Sequence, residues 1–314
     1  MTTNVHVSFP GLGFEKGFDV KPVAFEVFGF DIRWYALIIC TGIILSFIYF
    51  YRHAKLKEQL LEDDILNLTL LAVPIAIVGA RFLYVVTNLD NYDGFMDMIN
   101  IREGGLAIYG AIIFGAATFL VYTKLKHLST LKFLDAISPA VMLGQVIGRW
   151  GNFMNGEAFG EGFGVEKLPW RMVLVNTYEN DVGEPYTRTY VTHPTFLYES
   201  LWNALGFVII NIIYKKKKFD GQIFLLYVAW YGFGRGFIEI LREDSLLVFG
   251  QKLMVYLGFI TCAAAITAYI VLSKREKKDE VADFLGAKAV ASQADDESTE
   301  VEDKAEEDVE DDKA

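Results

Sequence analysis

The chain has 314 residues, of which 53% are hydrophobic and 15% aromatic, with a mean hydropathy of +0.30. Such a composition excludes an ordinary soluble domain and reads as a polytopic membrane protein. The formal net charge of −11 is local: residues 279–314 hold 15 acidic and 3 basic groups, while the preceding 278 residues hold 25 acidic and 26 basic groups. With the charge confined to one tail, no nucleic-acid partner is expected.

Taken in chain order, residues 1–33 have no basic stretch followed by an apolar core and a small-residue cleavage site, so a removable signal peptide is not expected. The Phe-, Gly- and Val-rich run from Val20 to Ile32 reads as a segment lying on the membrane surface. Seven apolar segments follow, roughly Trp34–Tyr51, Leu66–Val86, Gly105–Thr123, Phe133–Trp150, Phe196–Tyr214, Gln222–Leu241 and Leu253–Leu272. Each is about as long as a bilayer requires of a helix, which predicts an all-α membrane domain over residues 34–273. Pro74 in the second segment can kink a helix where neighbours satisfy the freed carbonyl. Cys40 and Cys262 sit inside apolar runs and read as core residues rather than a disulfide or a nucleophile.

Positive charge sets the expected orientation. Arg52, Lys55 and Lys57 follow the first segment, Lys124, Lys126 and Lys132 separate the third from the fourth, Lys215 to Lys218 follow the fifth, and Lys274, Arg275, Lys277 and Lys278 follow the seventh. The alternate connections are poorer in lysine and arginine. The amino terminus is therefore expected outside, with residues 274–314 in the cytoplasm as a basic stop and a disordered acidic tail. The connection from about 151 to 195 then faces outward as a small cap, with Thr187–Val191 its best strand candidate.

The densest chemistry is Gly148-Arg149-Trp150-Gly151-Asn152-Phe153-Met154-Asn155-Gly156-Glu157-Ala158-Phe159-Gly160, where the fourth segment leaves the membrane. Arginine offers a rigid fork of donors suited to phosphate or carboxylate. Asparagine both donates and accepts, and glycine admits close backbone approach. The cluster reads as a pocket for an anionic, hydroxyl-bearing head group. Arg81, Arg149 and Arg235 fall in or at the ends of apolar segments, where a charge costs about 2.5–3.5 kcal/mol on the most lenient scale and requires a partner. Snorkelling or a structural ion pair suffices for Arg81. Arg235, Glu239 and Arg242 share one helix face, so a simple intrahelical pair competes with a role in binding phosphate beside Arg149. Gly104 and Gly105 open the third segment, with Tyr109 about one turn deeper. Tyr109 reads either as an interfacial tyrosine or as part of a pocket. His193, Pro194, Tyr198 and Glu199 begin the fifth segment, where proline is a normal first-turn residue and Glu199 gains from the helix dipole.

The stretch from Gly148 to Gly160 resembles the signature of the prolipoprotein diacylglyceryl transferases. Trp34-Tyr35, Glu103-Gly104-Gly105, His193-Pro194 with Tyr198-Glu199, and Gly234-Arg235 with Glu239 and Arg242 match that family in order, over about residues 20–275. The resemblance implies a multi-pass enzyme of the bacterial cytoplasmic (inner) membrane, with its active site towards the outer face. It implies phosphatidylglycerol and prolipoprotein signal peptides with a lipobox cysteine as substrates, a diacylglyceryl thioether and glycerol phosphate as products, and no cofactor. Carried over residue by residue, Arg149, Asn152, Glu157 and Gly160 fall on essential signature positions, and Tyr35 and Arg235 on other important ones. Many members carry a histidine, discussed as a catalytic base, where this chain has Tyr109.

The implied reaction displaces a phosphate monoester from a glyceryl carbon by a thiolate. Arg149 and Arg235 would stabilise the leaving charge and the thiolate. Tyrosine, with a reference pKa of about 10, is a weak base, so Tyr109 is expected to position or hydrogen-bond. Asn152, Asn155 and Glu157 would hold head-group hydroxyls, with Gly160, Tyr35, Glu239, Gly104, Gly105, His193, Tyr198 and Glu199 also expected at the substrate. No HExxH or Cys/His ligand set calls for a metal. Three rivals remain at this level: a transporter, against which the absence of an internal repeat argues; an intramembrane hydrolase using Glu157 or Glu199 with His193; and a non-catalytic receptor for anionic lipid. The expected topology predicts that cysteines introduced near Asp90 and Asn180 react with membrane-impermeant maleimide on intact cells stripped of outer barriers, whereas those near Lys216 and Ser298 do not. Reversal at any of the four sites contradicts it.

Overall fold

The computed structural model describes residues 2–92, 94–100, 104–160, 164–180, 184–242, 247–248 and 250–278. Arg102, Glu103 and the acidic tail lie outside the described residues. Among the described residues, seven helices are long and apolar enough to cross a bilayer: α1 (Trp34–Leu56), α2 (Glu62–Thr87), α4 (Ile108–Leu125), α5 (Thr130–Asn155), α6 (Thr195–Tyr214), α7 (Gln222–Leu241) and α8 (Leu253–Lys278). A short helix α3 (Phe95–Ile99) lies between α2 and α4. The chain is a multi-pass membrane protein, and all seven expected spans are present. Large apolar side chains such as Leu70, Val78, Ile113, Leu201 and Ile260 are exposed around the bundle, as a surface solvated by lipid tails allows. Cys262 is buried, but Cys40 is exposed on this surface. Its expected place in the core is thus corrected, because a helix apolar on all sides gives no sequence signal separating core from lipid.

α5 is the axis of the bundle, packed against α1, α6 and α7, while α2 pairs with α4. At the end where α1 and α2 join, Phe50, Ile65, Leu68, Phe119 and Phe133 form one buried cluster. A buried ionic knot stands beside it. The Lys217 ammonium lies 2.6 Å from Glu58, 2.9 Å from Asp135 and 3.0 Å from Asp220, so the cation within this trio of carboxylates is supplied by the chain itself. Burial alone would lower the Lys217 pKa, but its bonds to Glu58 and Asp135 outweigh that and raise it. Asp135 also accepts from the backbone N–H groups of Gly221 (2.7 Å) and Phe224 (2.9 Å), which caps the start of α7.

The opposite end carries a four-stranded antiparallel sheet in the order β2-β1-β5-β6. Its strands are β1 (Thr2–Phe9), β2 (Phe14–Val20), β5 (Met172–Glu179) and β6 (Pro185–Thr192). The expected strand at Thr187–Val191 is β6. The amino terminus supplies the other half of the cap, pairing Val5 with Asn176 and with Val20, which was not expected from the sequence. Val5, Val7, Met172 and Leu174 from the sheet pack with Phe196 on α6 and Phe153 on α5, so the cap is seated on the helix ends that carry the polar cluster. Residues expected to lie on the membrane surface form the hairpin β3 (Val23–Val27) and β4 (Phe30–Arg33), with Phe25, Phe28 and Phe30 exposed. A two-stranded hairpin, β7 (Leu247–Val248) with β8 (Gln251–Lys252), precedes α8.

Candidate functional site

Consecutive spans alternate in direction, so the start of α1, the end of α5, the start of α6 and the end of α7 meet at the sheet end. The fourth apolar segment does not stop at Trp150; α5 runs on to Asn155, which places Arg149, Asn152 and Asn155 on regular helix. Gly156, with φ of +62°, ends the helix. Its N–H donates to the Phe153 carbonyl (3.0 Å) and that of Glu157 to the Asn152 carbonyl (3.1 Å), the paired closure that a left-handed residue permits. The buried Asn176 amide on β5 donates to the Gly156 carbonyl at 2.9 Å, tying this turn to the cap.

The centre is Glu199, one turn into α6 and 3% exposed. Arg149 Nη2 donates to one of its oxygens at 2.6 Å and Arg235 Nη1 to the other at 3.0 Å. One carboxylate therefore draws together guanidinium groups from α5 and α7. Arg235 is also bound to Glu239 at 2.5 Å, with Arg242 3.9 Å from the same carboxylate. Among the described residues, three guanidinium groups thus face two buried carboxylates. Arg149 Nη1 reaches Asn152 Oδ1 at 3.4 Å, and the amides of Asn152 and Asn155 donate to Glu157 Oε1 at 3.2 and 3.3 Å. The arrangement is a continuous chain of donors and carboxylates from membrane depth to the exposed Glu157. The Oδ1 of Asn155 is buried and has no partner among the described residues.

Gly160 forms antiparallel bridges to both His193 and Arg242, so it joins the beginning of α6 to the end of α7. A Cβ there would stand 2.5 Å from the Leu241 carbonyl oxygen and 2.9 Å from Thr195 Cγ2. This close approach explains why glycine occupies the position. The His193 ring is buried, neither nitrogen finds a partner among the described residues, and it meets the Tyr198 ring edge-on at 6.2 Å. The Tyr198 hydroxyl accepts from Trp170 Nε1 at 2.6 Å. Tyr35 packs on Gly151, within electrostatic range of Arg149 and Glu157.

Two expectations are placed differently. The Gly104 and Gly105 carbonyls accept from Arg81 Nη1 at 2.9 and 3.0 Å, while Arg81 Nη2 and Nε donate to the carbonyls of Asp97 and Met98. Arg81 thus clamps the loop before α4 and, among the described residues, pairs with no carboxylate; the carbonyls of the double glycine belong to that clamp. Tyr109 is half exposed with its hydroxyl against Met254 Sδ at 3.4 Å, in electrostatic range of Arg235 and Tyr231. The sequence reading also missed a polar layer beneath the arginines: Gln145 donates to the Tyr227 hydroxyl at 3.2 Å, and Tyr227 stacks with Tyr231. Its signal was the four-residue spacing of Tyr227, Tyr231, Arg235 and Glu239, which puts all four on one face of α7.

A seven-span bundle whose capped end gathers arginines, asparagines and buried carboxylates defines a multi-pass membrane protein with a polar site among its helix ends. The prolipoprotein diacylglyceryl transferase family model matches residues 22–279. The chain is 38% identical over 258 residues to a phosphatidylglycerol–prolipoprotein diacylglyceryl transferase of Clostridioides difficile, covering 82% of this chain and 97% of that protein. Proteins of the same name from Enterococcus faecalis and Finegoldia magna are 40% and 41% identical, over 80% and 82% of this chain and 90% and 96% of their own lengths. The chain belongs to the prolipoprotein diacylglyceryl transferase family.

Because Gly160 has no room for a methyl group, Gly160→Ala is expected to destabilise the junction of α6 and α7 by about 1–3 kcal/mol. Thermal unfolding in detergent checks this, and an unchanged midpoint contradicts the packing argument.

Proposed function

We propose that the protein transfers the diacylglyceryl group of phosphatidylglycerol to the lipobox cysteine of prolipoproteins, from a site on the outer face of the bacterial inner membrane. The observation that carries this reading is the convergence of Arg149 and Arg235 on Glu199, beside the amides that meet at Glu157. Family membership supplies the reaction class. The basic connections at the far end of the bundle support the orientation.

In the reaction, the cysteine thiol loses its proton to solvent or to the departing phosphate. The sulfur electron pair forms a bond to the glyceryl carbon, and the carbon–oxygen bond to phosphate breaks. Glycerol phosphate leaves with that electron pair. Charge accumulates on the phosphate oxygens, where Arg149 and Arg235 present preorganised donors with water largely excluded. The same charges favour a nearby thiolate over a thiol, whose reference pKa is about 8.5. Each guanidinium has five donors, so binding Glu199 leaves donors for the phosphate. Asn152, Asn155 and Glu157 hold the glycerol hydroxyls, with the buried Asn155 oxygen ready to accept from one of them. Tyr109 orients the phosphate or the thiol by hydrogen bonding. Tyr35 and Tyr198 wall the head group, and the buried His193 ring offers a polar contact on its cap side.

Incubating the purified chain with glycerol- and acyl-labelled phosphatidylglycerol and a lipobox peptide tests the proposal. The expected products are the peptide thioether of diacylglycerol and water-soluble labelled glycerol phosphate, with none formed from a peptide carrying serine for cysteine. Arg149→Ala should lower transfer by roughly 10²–10³-fold, and Arg149→Lys should recover little because a point charge cannot replace the fork. Diacylglycerol release without peptide would indicate the hydrolase instead, and full turnover by Arg149→Ala would remove that arginine from the reaction.

A further inference from the structure

At the end of the bundle away from the polar site, a cavity of about 280 Å³ opens between α1 and α6. Its polar wall is His53, Lys57, Asn211 and Lys215, and its apolar wall includes Phe207 and Ile212. The polar wall is held in place by its neighbours. The Tyr49 ring stacks on His53 at 3.9 Å, and its hydroxyl donates to Asn211 Oδ1 at 2.5 Å. Asn211 Nδ2 donates to the Phe207 carbonyl at 2.8 Å. Tyr214 closes on His53 from the α6 side at 5.6 Å. His53 Nδ1 lies 3.2 Å from the Tyr49 carbonyl, so that nitrogen carries the hydrogen, and the other ring nitrogen has no protein partner among the described residues.

Among the described residues, no carboxylate is left over to offset the charge at this groove. Neighbouring Glu58 is committed to Lys217 and to the Tyr214 hydroxyl, both at 2.6 Å. Lys57 and Lys215 are exposed and form no ion pair among the described residues. Two unpaired ammonium groups therefore stand at the mouth of a half-apolar groove where the helices leave the bilayer. Val208 and Ile212, which line the groove on α6, are also open to the outer surface of the bundle, 53% and 62% exposed.

We propose that this groove binds one anionic glycerophospholipid of the leaflet opposite the candidate active site. The phosphodiester would sit between Lys57 and Lys215, a head-group hydroxyl or ammonium against His53 and Asn211, and an acyl chain along Val208 and Ile212. The volume fits a head group but not a whole lipid, so the chains must remain in the bilayer. The commitment to lipid rests on complementarity: free phosphate would leave the apolar wall unused, and a neutral lipid would leave both lysines unanswered. α1 carries Tyr35 and α6 carries Glu199 at their other ends, so the bound lipid would bridge two helices that also frame the candidate site. The proposal does not depend on the proposed reaction, and its test reads binding alone.

Native mass spectrometry of the full chain in mild detergent, titrated with dioleoyl phosphatidylserine or dioleoyl phosphatidylcholine, is the direct measurement. Wild type should retain a tight phosphatidylserine that is weakened about tenfold or more in K57Q/K215Q and restored in K57R/K215R. Arg149→Ala should keep this lipid, which separates the groove from the arginine cluster. Equal retention by wild type and K57Q/K215Q, equal retention of phosphatidylcholine, or displacement by millimolar inorganic phosphate would each overturn the proposal. A second readout leaves the lysines intact: benzoylphenylalanine at Ile212 should photocrosslink to phosphatidylserine in preference to phosphatidylcholine, and equal crosslinking contradicts the assignment.

Discussion

A carboxylate buried among membrane helices is costly unless its charge is matched by hydrogen-bonded partners, and Glu199 meets that demand with two arginines from two other helices. The arginines have the complementary problem, since neither can lose its proton and each must find an anion. The three groups solve it together, which fixes the separation of α5, α6 and α7 at the end where they meet. Breaking a buried pair by removing one partner typically costs about 3–5 kcal/mol because the other charge is stranded. Glu199 therefore acts as a tie between helices, and it keeps the guanidinium groups aimed at one place before any anion arrives.

The cap follows from the same constraint. Arg149 and Asn152 can serve a common site with Glu157 only if α5 stops abruptly and the chain doubles back, which Gly156 accomplishes with Asn176 holding its carbonyl. The returning strand must pass between the start of α6 and the end of α7, and Gly160 is the residue thin enough to do so. The Arg81 clamp on the loop before α4 sets the approach to Tyr109. At the far end, the Lys217 knot holds α1, α5 and the turn into α7. The bundle is thus pinned by ions at both ends, while its middle is held by apolar packing.

The spans were legible because twenty apolar residues in a row have few other physical solutions. The polar cluster was legible because arginine and asparagine at membrane depth are expensive and seldom incidental. Contacts distant in sequence were not. Glu199 reads locally as a first-turn acid, and nothing near it indicates that Arg149, fifty positions earlier, is its partner. Gly104 and Gly105 look like a ligand cradle, yet the group approaching their carbonyls is Arg81, about one loop away in sequence. The sheet was half hidden for a related reason: β1 and β5 are separated by more than 160 positions, and each strand alone is too short to announce its pairing. Tyr231 escaped notice because aromatic residues are abundant on every span, so its place on the Arg235 face required the helix period to be followed across α7.

The sharpest test of the central role given to Glu199 is a double-mutant cycle on transfer kinetics and thermal unfolding with Glu199→Gln and Arg235→Lys. The Gln side chain keeps the size and one acceptor but removes the charge that gathers the arginines. Folded Glu199→Gln is expected to lose roughly 10²-fold or more in kcat/KM, and adding Arg235→Lys should cost much less than it does in wild type, because both changes disturb one unit. A folded Glu199→Gln protein with near wild-type turnover, or strictly additive effects, would contradict it.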